Sequence, residues 1–285
     1  MIYYHADDYG VCIEQARRIM ACRTEGCLNS VSIMPTSDYL DDTMPLLDED
    51  CKKSVHINIS EGKALSDPKE IPMLVDENGC FNRSFGELLL KSVFHGCELE
   101  KQVETESYAQ ISRALQYMPE DYELRFDSHR HYHTIPCIFR GVCKAAVKTH
   151  RKVEYIRLPI ESFALYLRKP SLWPRIAPLS IVKAIVLNIC CAFDKKYLKK
   201  LGLGNRNCGY IGVIFTDRMF FENIDPLIKM IKEGKSFRGQ DVEVQFHPGK
   251  VLKGEPLHET KFADWFSSKN RDKEAEALKR FAGEL

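Results

Sequence analysis

The chain has 285 residues, of which 44 % are apolar and 28 % charged, and its formal net charge is +1. That is ordinary globular composition on a chain long enough to bury a sizeable core. A near-neutral balance gives no electrostatic case for nucleic acid or an anionic membrane as the main partner. The 11 cysteines are odd in number and form no CxxC pair, so neither a disulfide framework nor a zinc ribbon is visible. They read as reduced thiols, mostly small core residues, of a cytoplasmic protein. The first apolar run starts at Ile2, so a standard N-terminal secretion signal is not expected.

In chain order, "IYYH" (2–5) reads as a strand, followed by a helix over Ile13–Arg23, with Ile13, Ala16 and Met20 at helical spacing. "SVSIM" (30–34) and "SVHINI" (54–59) are further strands, and 60–84 is a long Gly-, Pro- and Asp-containing loop. A helical region spans Phe85–Met118. "ELRFD" (123–127) is a fourth strand, Ile135–His150 a helix, and "EYIRLP" (154–159) a fifth strand. "YIGVIF" (210–215) and "DVEVQFH" (241–247) complete about seven strands, with a helix over Asn223–Glu233 between them and a polar helix over Asp272–Ala282 at the end. Strands alternating with helices predict parallel βαβ units in one catalytic domain over 1–285, an irregular α/β barrel. Residues 160–209 break the rhythm. They hold Pro170, Pro174, Pro178, the apolar window "IVKAIVLNICCAF" (181–193) and the basic "KKYLKK" (195–200), and read as a helical insertion over a barrel mouth. The window is shorter than the roughly 20 residues of a bilayer span, so no integral span is expected.

Barrel strands present chemistry at their C-terminal ends. Six of the nine histidines fall in or beside four strand ends. In "FDSHRHYH", Asp127, His129, His131 and His133 alternate, which in extended backbone puts all four on one face, a poor core strand but a good set of metal ligands and their partners. His56 sits among Val55, Ile57 and Ile59. Asp7 and Asp8 repel each other unless a cation neutralises them; capping of the next helix would explain one of the two, and Gly10 lets the backbone turn sharply. Val242, Val244 and Phe246 alternate with Glu243, Gln245 and His247, with His247 at the strand's end before Pro248. Together these offer one carboxylate and two imidazoles for a metal, with a spare carboxylate and a spare histidine. Such a set suits hydrolysis by polarised carbonyl, base and acid. No GxSxG, P-loop or GxGxxG is present.

In this order the motifs resemble the YdjC-like carbohydrate deacetylases. "HADDYG", "HINISEGKAL", "DSHRHYH", "YIRLPIES" and "FHPG" match that family's successive motifs, from residue 3 to about 160 and again from about 210. The resemblance implies removal of acetyl groups from N-acetylated amino sugars, often by a homodimer. It implies that Asp8, His56 and His129 hold a divalent metal, Mg2+ or Zn2+ first, with Co2+, Mn2+ and Ni2+ compatible. Asp7 becomes the base and His247 the acid or oxyanion partner, while Asp127, His131, His133 and Arg157 stand behind the ligands or against the substrate. Alternatives are a metal hydrolase of another acetyl or phosphate ester, or a catalytically silent sugar-binding protein. Two departures stand out: His5 occupies a position where the family usually has Asn, and 160–209 has no aligned counterpart in the short-chain enzymes. If that segment covers the mouth, a lipid-linked or bulky acetylated sugar becomes a candidate substrate, which vesicle co-sedimentation would test.

Overall fold

The computed structural model describes residues 1–201 and 208–283; residues 202–207 of the expected insertion lie outside the described residues. Seven strands form one sheet: β1 (Ile2–Tyr9), β2 (Ser30–Ile33), β3 (Lys52–Ile57), β4 (Leu124–Ser128), β5 (Val153–Ile156), β6 (Cys208–Ile211) and β7 (Asp241–Phe246). Their order is β5-β4-β3-β2-β1-β7-β6, and every pairing is parallel. The sheet curls until its two edges meet, where Glu161, just past β5, forms a parallel bridge with Tyr210 of β6. The expected irregular α/β barrel is therefore the observed architecture.

The strands are buried on both faces, yet they are not the continuous apolar runs usual for parallel sheets. Tyr4, Ala6, Val31, Ile33, Val55, Ile57, Phe126, Val244 and Phe246 pack into the core beneath the helices. The intervening positions are polar: His5 and Asp7, Ser30 and Ser32, His56, Asp127, Glu243 and Gln245, all buried. Since side chains alternate along a strand, the barrel has an apolar outside under its helices and a polar inside. Register aligns the polar rows, pairing His5 with Ser30 and Gln245 and His56 with Asp127.

The helices follow local signals. α1 (Ile13–Thr24) is capped by Cys12, whose sulfur accepts from the Gln15 N–H, so neither Asp7 nor Asp8 serves as the cap. A short helix, α2 (Leu40–Thr43), follows β2. α3 (Phe85–Leu115) opens with a capping box between Ser84 and Glu87 and kinks at His95. α4 (Pro136–Lys148) begins with proline at its first turn and packs closely on α3 at Gly141, where a Cβ would sit 2.6 Å from the Glu100 carbonyl oxygen. α5 (Phe163–Leu167) and α6 (Pro178–Leu201) lie in the segment 160–209. α7 (Phe221–Lys232), α8 (Ala263–Phe266) and α9 (Asn270–Ala282) complete the chain. All 11 cysteines are free thiols and most are buried, as expected. No helix among the described residues is long and apolar enough to cross a membrane.

Two expectations need correction. The strand expected over 210–215 ends at Ile211, because the next backbone N–H groups leave the sheet: Gly212 and Val213 donate to the Glu161 carboxylate at 3.2 and 2.9 Å. The extended backbone expected through the histidine triple is instead a 3-10 turn over His129–Thr134, with Arg130 and His131 at φ of +58° and +61°.

α6 also buries a carboxyl without full partners. Asp194 is 1 % exposed, and its Oδ2 lacks a hydrogen-bond partner. Burial raises its pKa to about 9, with Arg140 only partly opposing. A carboxyl protonated in the folded state but ionised in the unfolded one destabilises the fold increasingly as pH rises from about 4 to about 9. Asp194→Asn is therefore expected to gain on the wild type by on the order of 1 kcal/mol per pH unit in denaturant unfolding between pH 5 and 8; a pH-independent difference would contradict this.

Candidate active site

The two adjacent aspartates diverge because β1 breaks register with β2 between Ala6 and Tyr9 and Asp8 adopts φ of +63°, a left-handed conformation rare for a side-chain-bearing residue. Gly10, at φ +97°, completes the turn. Asp7 consequently points into the polar barrel interior and Asp8 toward β3 and the loop after β4.

Asp8, His56 and His129 offer ligand atoms within 4.8 Å of one another. Asp8 Oδ1 lies 3.4 Å from His56 Nε2 and 2.8 Å from His129 Nδ1. Each of the three is held from behind. His56 Nδ1 donates to Asp127 Oδ1 at 2.6 Å, which turns Nε2 toward Asp8, where this buried nitrogen has no hydrogen-bond partner. His129 Nε2 lies 2.9 Å from Glu61 Oε1. Asp8 Oδ2 accepts from Arg271 Nη2 at 2.6 Å. A buried imidazole nitrogen left open beside a carboxylate and a second imidazole, each with an outer partner, is the donor set a divalent cation requires, and the residues fit one.

The fields of these groups agree with that reading. Burial opposes protonation of His56, but the Asp127 and Asp7 carboxylates raise its pKa to about 10. Asp8 and Glu61 likewise raise His129 against burial. Asp8 itself is held well below the ordinary carboxylate range by His129, despite burial. His56 thus carries a positive charge at neutral pH, and the field at His129 favours its charged form, so the site as it stands is one that positive charge suits.

His5, Asp7 and Asp127 also converge within 4.8 Å, but a cation already fills that space. Arg157 donates to both Asp7 oxygens at 2.9 and 2.8 Å, reaches Asp127 Oδ2 at 2.8 Å and donates to Glu243. Asp7 also accepts from Gln245. The expected base is therefore not free but clamped, and Arg157 outweighs burial to keep it ionised, well below the usual carboxylate range. His5 lies 2.7 Å from both Ser30 Oγ and Ser32 Oγ, and Ser32 in turn donates to Asp127.

The 3-10 turn sends the three histidines of "DSHRHYH" to different places. His129 reaches Asp8. His131 lies edge-on to Tyr210, 6.1 Å between centroids, and faces the cleft. His133 turns underneath: Ser128 Oγ lies 2.6 Å from its Nδ1, and its Nε2 donates to the Arg157 carbonyl at 2.7 Å. Burial drops the His133 pKa to about 4, so this neutral ring is a strut under Arg157.

Asp7, His129, His131, Gln245 and His247 line a cleft of about 710 Å³ that Phe85, Leu179, Val182 and Trp265 also line. His247 stands at the end of β7, its Nε2 4.0 Å from Asp7 Oδ2 and its ring edge-on to Trp265 at 5.1 Å. Its backbone N–H donates to Glu274 at 2.5 Å. Burial lowers the His247 pKa to about 4, leaving a neutral imidazole in the neutral pH range.

Sequence reasoning missed several members. Glu61 lay within a quoted motif but was given no role. His258 is buried beside Glu61 and His129, its backbone held by Val11 O at 3.1 Å. Arg271 and Glu274 lie in the helix read as polar. They are buried with Leu278 and Phe281 on one helical face, and charges placed in an apolar stripe were the signal available.

A family model described as YdjC-like protein matches residues 1–281. A carbohydrate deacetylase of Thermoanaerobacter pseudethanolicus is 24 % identical over 249 residues, covering 87 % of this chain and 80 % of that protein. A carbohydrate deacetylase of Danio rerio is 28 % identical over 160 residues, 54 % of this chain and 48 % of that one. The crystal structure of a putative cellobiose-phosphate cleavage protein from Enterococcus faecalis superposes with a TM-score of 0.66 over 99 % of this chain and 92 % of that one; at 18 % identity it shares the fold. With its motifs in order and the match spanning nearly its whole length, the chain belongs to the YdjC-like family.

Proposed function

We propose that this enzyme is a metal-dependent N-deacetylase of acetylated amino sugars. The observation that carries the reading is the convergence of Asp8, His56 and His129 at one end of a cleft that also holds the ionised Asp7 and the neutral His247. The curated relatives named carbohydrate deacetylase support it.

Asp8, His56 and His129 would hold the ion, with Asp127, Glu61 and Arg271 fixing their orientation. A divalent cation there supplies positive charge that polarises the amide carbonyl and acidifies a water. Asp7 would take a proton from the attacking water as the water's oxygen bonds to the carbonyl carbon. Its clamp serves this step by position and ionisation rather than by basicity. His247 enters uncharged, its Nε2 accepting from the Gln245 amide, and stands beside Asp7 as the partner of the developing oxyanion or of the departing amine. The C–N bond then breaks, and the proton held by Asp7 passes to the departing amine.

The decisive experiment is an acetate-release screen over N-acetylated sugars with metal-stripped and metal-reloaded protein. Acetate is expected from the reloaded protein alone; phosphate release without acetate, or sugar binding without any release, would sink the reading. Asp7→Asn should bind the ion normally and lose about 10²–10⁴-fold in turnover. His129→Ala should lose both ion and turnover.

Because the ion must displace a proton from His56, its affinity should rise with pH between 6 and 8. Calorimetry in buffers of different ionisation enthalpy should record release of at least about one proton per ion, from His56. Release of none would contradict a protonated His56 at the site.

A further inference from the structure

α6 is amphipathic in an unusual sense. Its buried side, Ala184, Leu187, Cys190, Cys191 and Leu198, is apolar apart from Asp194. Its outward side is apolar as well: Val182, Ile185, Ile189 and Phe193, spaced by three and four residues and so on one face, are 55, 45, 56 and 58 % exposed. Leu179 is 78 % exposed at the helix start, and Leu167 and Trp173 are 65 and 50 % exposed in the segment before it.

Charge on this segment is one-sided. The same helical face continues into Lys196 and Lys200, with Lys195 and Lys199 beside them, and Lys196 Nζ sits 5.9 Å from the Phe193 ring centroid. Arg168, Lys169 and Arg175 precede the helix, and from 163 to 201 the sole acidic residue is the buried Asp194. The neutral charge of the whole chain conceals this local excess. An apolar stripe ending in lysines, on a helix too polar to span, is what anionic lipid headgroups above an acyl layer would attract.

The helix also builds the cleft. Leu179, Val182, Lys183 and Val186 form part of the wall, so the mouth opens along the apolar face. Phe85 and Gly86 of α3 line it too, and α3 exposes Leu90, Val93 and Phe94 at 60, 73 and 73 %. Lys183 lies in this wall with no ion-pair partner among the described residues.

We propose that α6 docks on an anionic bilayer surface and that the cleft receives an acetylated sugar borne on a membrane lipid through a phosphate, which Lys183 meets. The sugar rests on the deacetylase reading above; the docking does not.

The test is co-sedimentation of the full chain with phosphatidylglycerol-containing vesicles and with pure phosphatidylcholine vesicles. Partitioning is expected to favour the anionic vesicles by at least about tenfold. Ile185→Glu/Ile189→Glu and, separately, Lys196→Glu/Lys199→Glu/Lys200→Glu should each abolish that preference while keeping the wild-type melting temperature and acetate release from a soluble sugar. Equal, weak partitioning of the wild type to both vesicle types overturns the proposal. So does a wild-type dimer in sedimentation velocity that Ile185→Glu/Ile189→Glu converts to monomer, since the face is then a contact between copies. Vesicle binding with no acetate from any substrate would reject the deacetylase reading and leave the docking intact. For Lys183→Gln, KM should rise at least about tenfold more for an N-acetylated sugar 1-phosphate than for the neutral sugar; equal changes would remove Lys183 from phosphate recognition.

Discussion

The structure depends on how five buried carboxylates are neutralised. Asp7, Asp8, Glu61, Asp127 and Glu243 meet inside the C-terminal end of the barrel, each 2 % exposed or less. Among the described residues two guanidiniums, Arg157 and Arg271, reach them. Unpaired charges at that depth would cost several kcal/mol each. Protonated His56 adds a third positive charge, and the remaining negative excess, beside the imidazoles of His56 and His129, is what a divalent ion would balance. Asp7 belongs to the half served by Arg157, Asp8 to the half served by the imidazoles, and the left-handed turn at Asp8 separates them.

This charge pattern explains the odd barrel. A parallel sheet covered by helices normally fills its interior with apolar side chains. Here the interior rows are serine, histidine, aspartate, glutamate and glutamine in aligned register, and core packing is carried by the outward rows under the helices. The protein surrenders interior hydrophobic burial to hold a hydrogen-bonded relay from His5 through Ser32 and Asp127 to His56. Arg157 is the brace of this interior. His133, once separated from its two neighbours by the 3-10 turn, is the strut that fixes it.

Much of this was legible in the residues because the relevant signals are local. Short apolar β-prone runs marked the strands, and histidines at their ends marked the site. The family resemblance carried by the quoted motifs implied Asp8, His56 and His129 as one set, and the three do converge. What stayed hidden is long-range or conformational. Positive φ at Arg130 and His131 cannot be read from a triple that looks extended, so the shared face of His129, His131 and His133 was wrong. Glu161 ending β6 depends on a contact some fifty residues away. Arg271 and Glu274 reach the centre from a helix whose composition is polar, and only their position in its apolar stripe gives them away. The clamp on Asp7 required Arg157 to arrive from β5, a geometry that motif spacing does not encode.

Anomalous diffraction from crystals grown with zinc or cobalt tests the central claim most directly. The account predicts one strong peak per chain, about 2.0–2.2 Å from Asp8 oxygen and from one nitrogen of each of His56 and His129, with Arg157 still clamping Asp7. A peak between Asp7 and Asp127 with Arg157 displaced, or no peak at Asp8 under saturating metal, would contradict it.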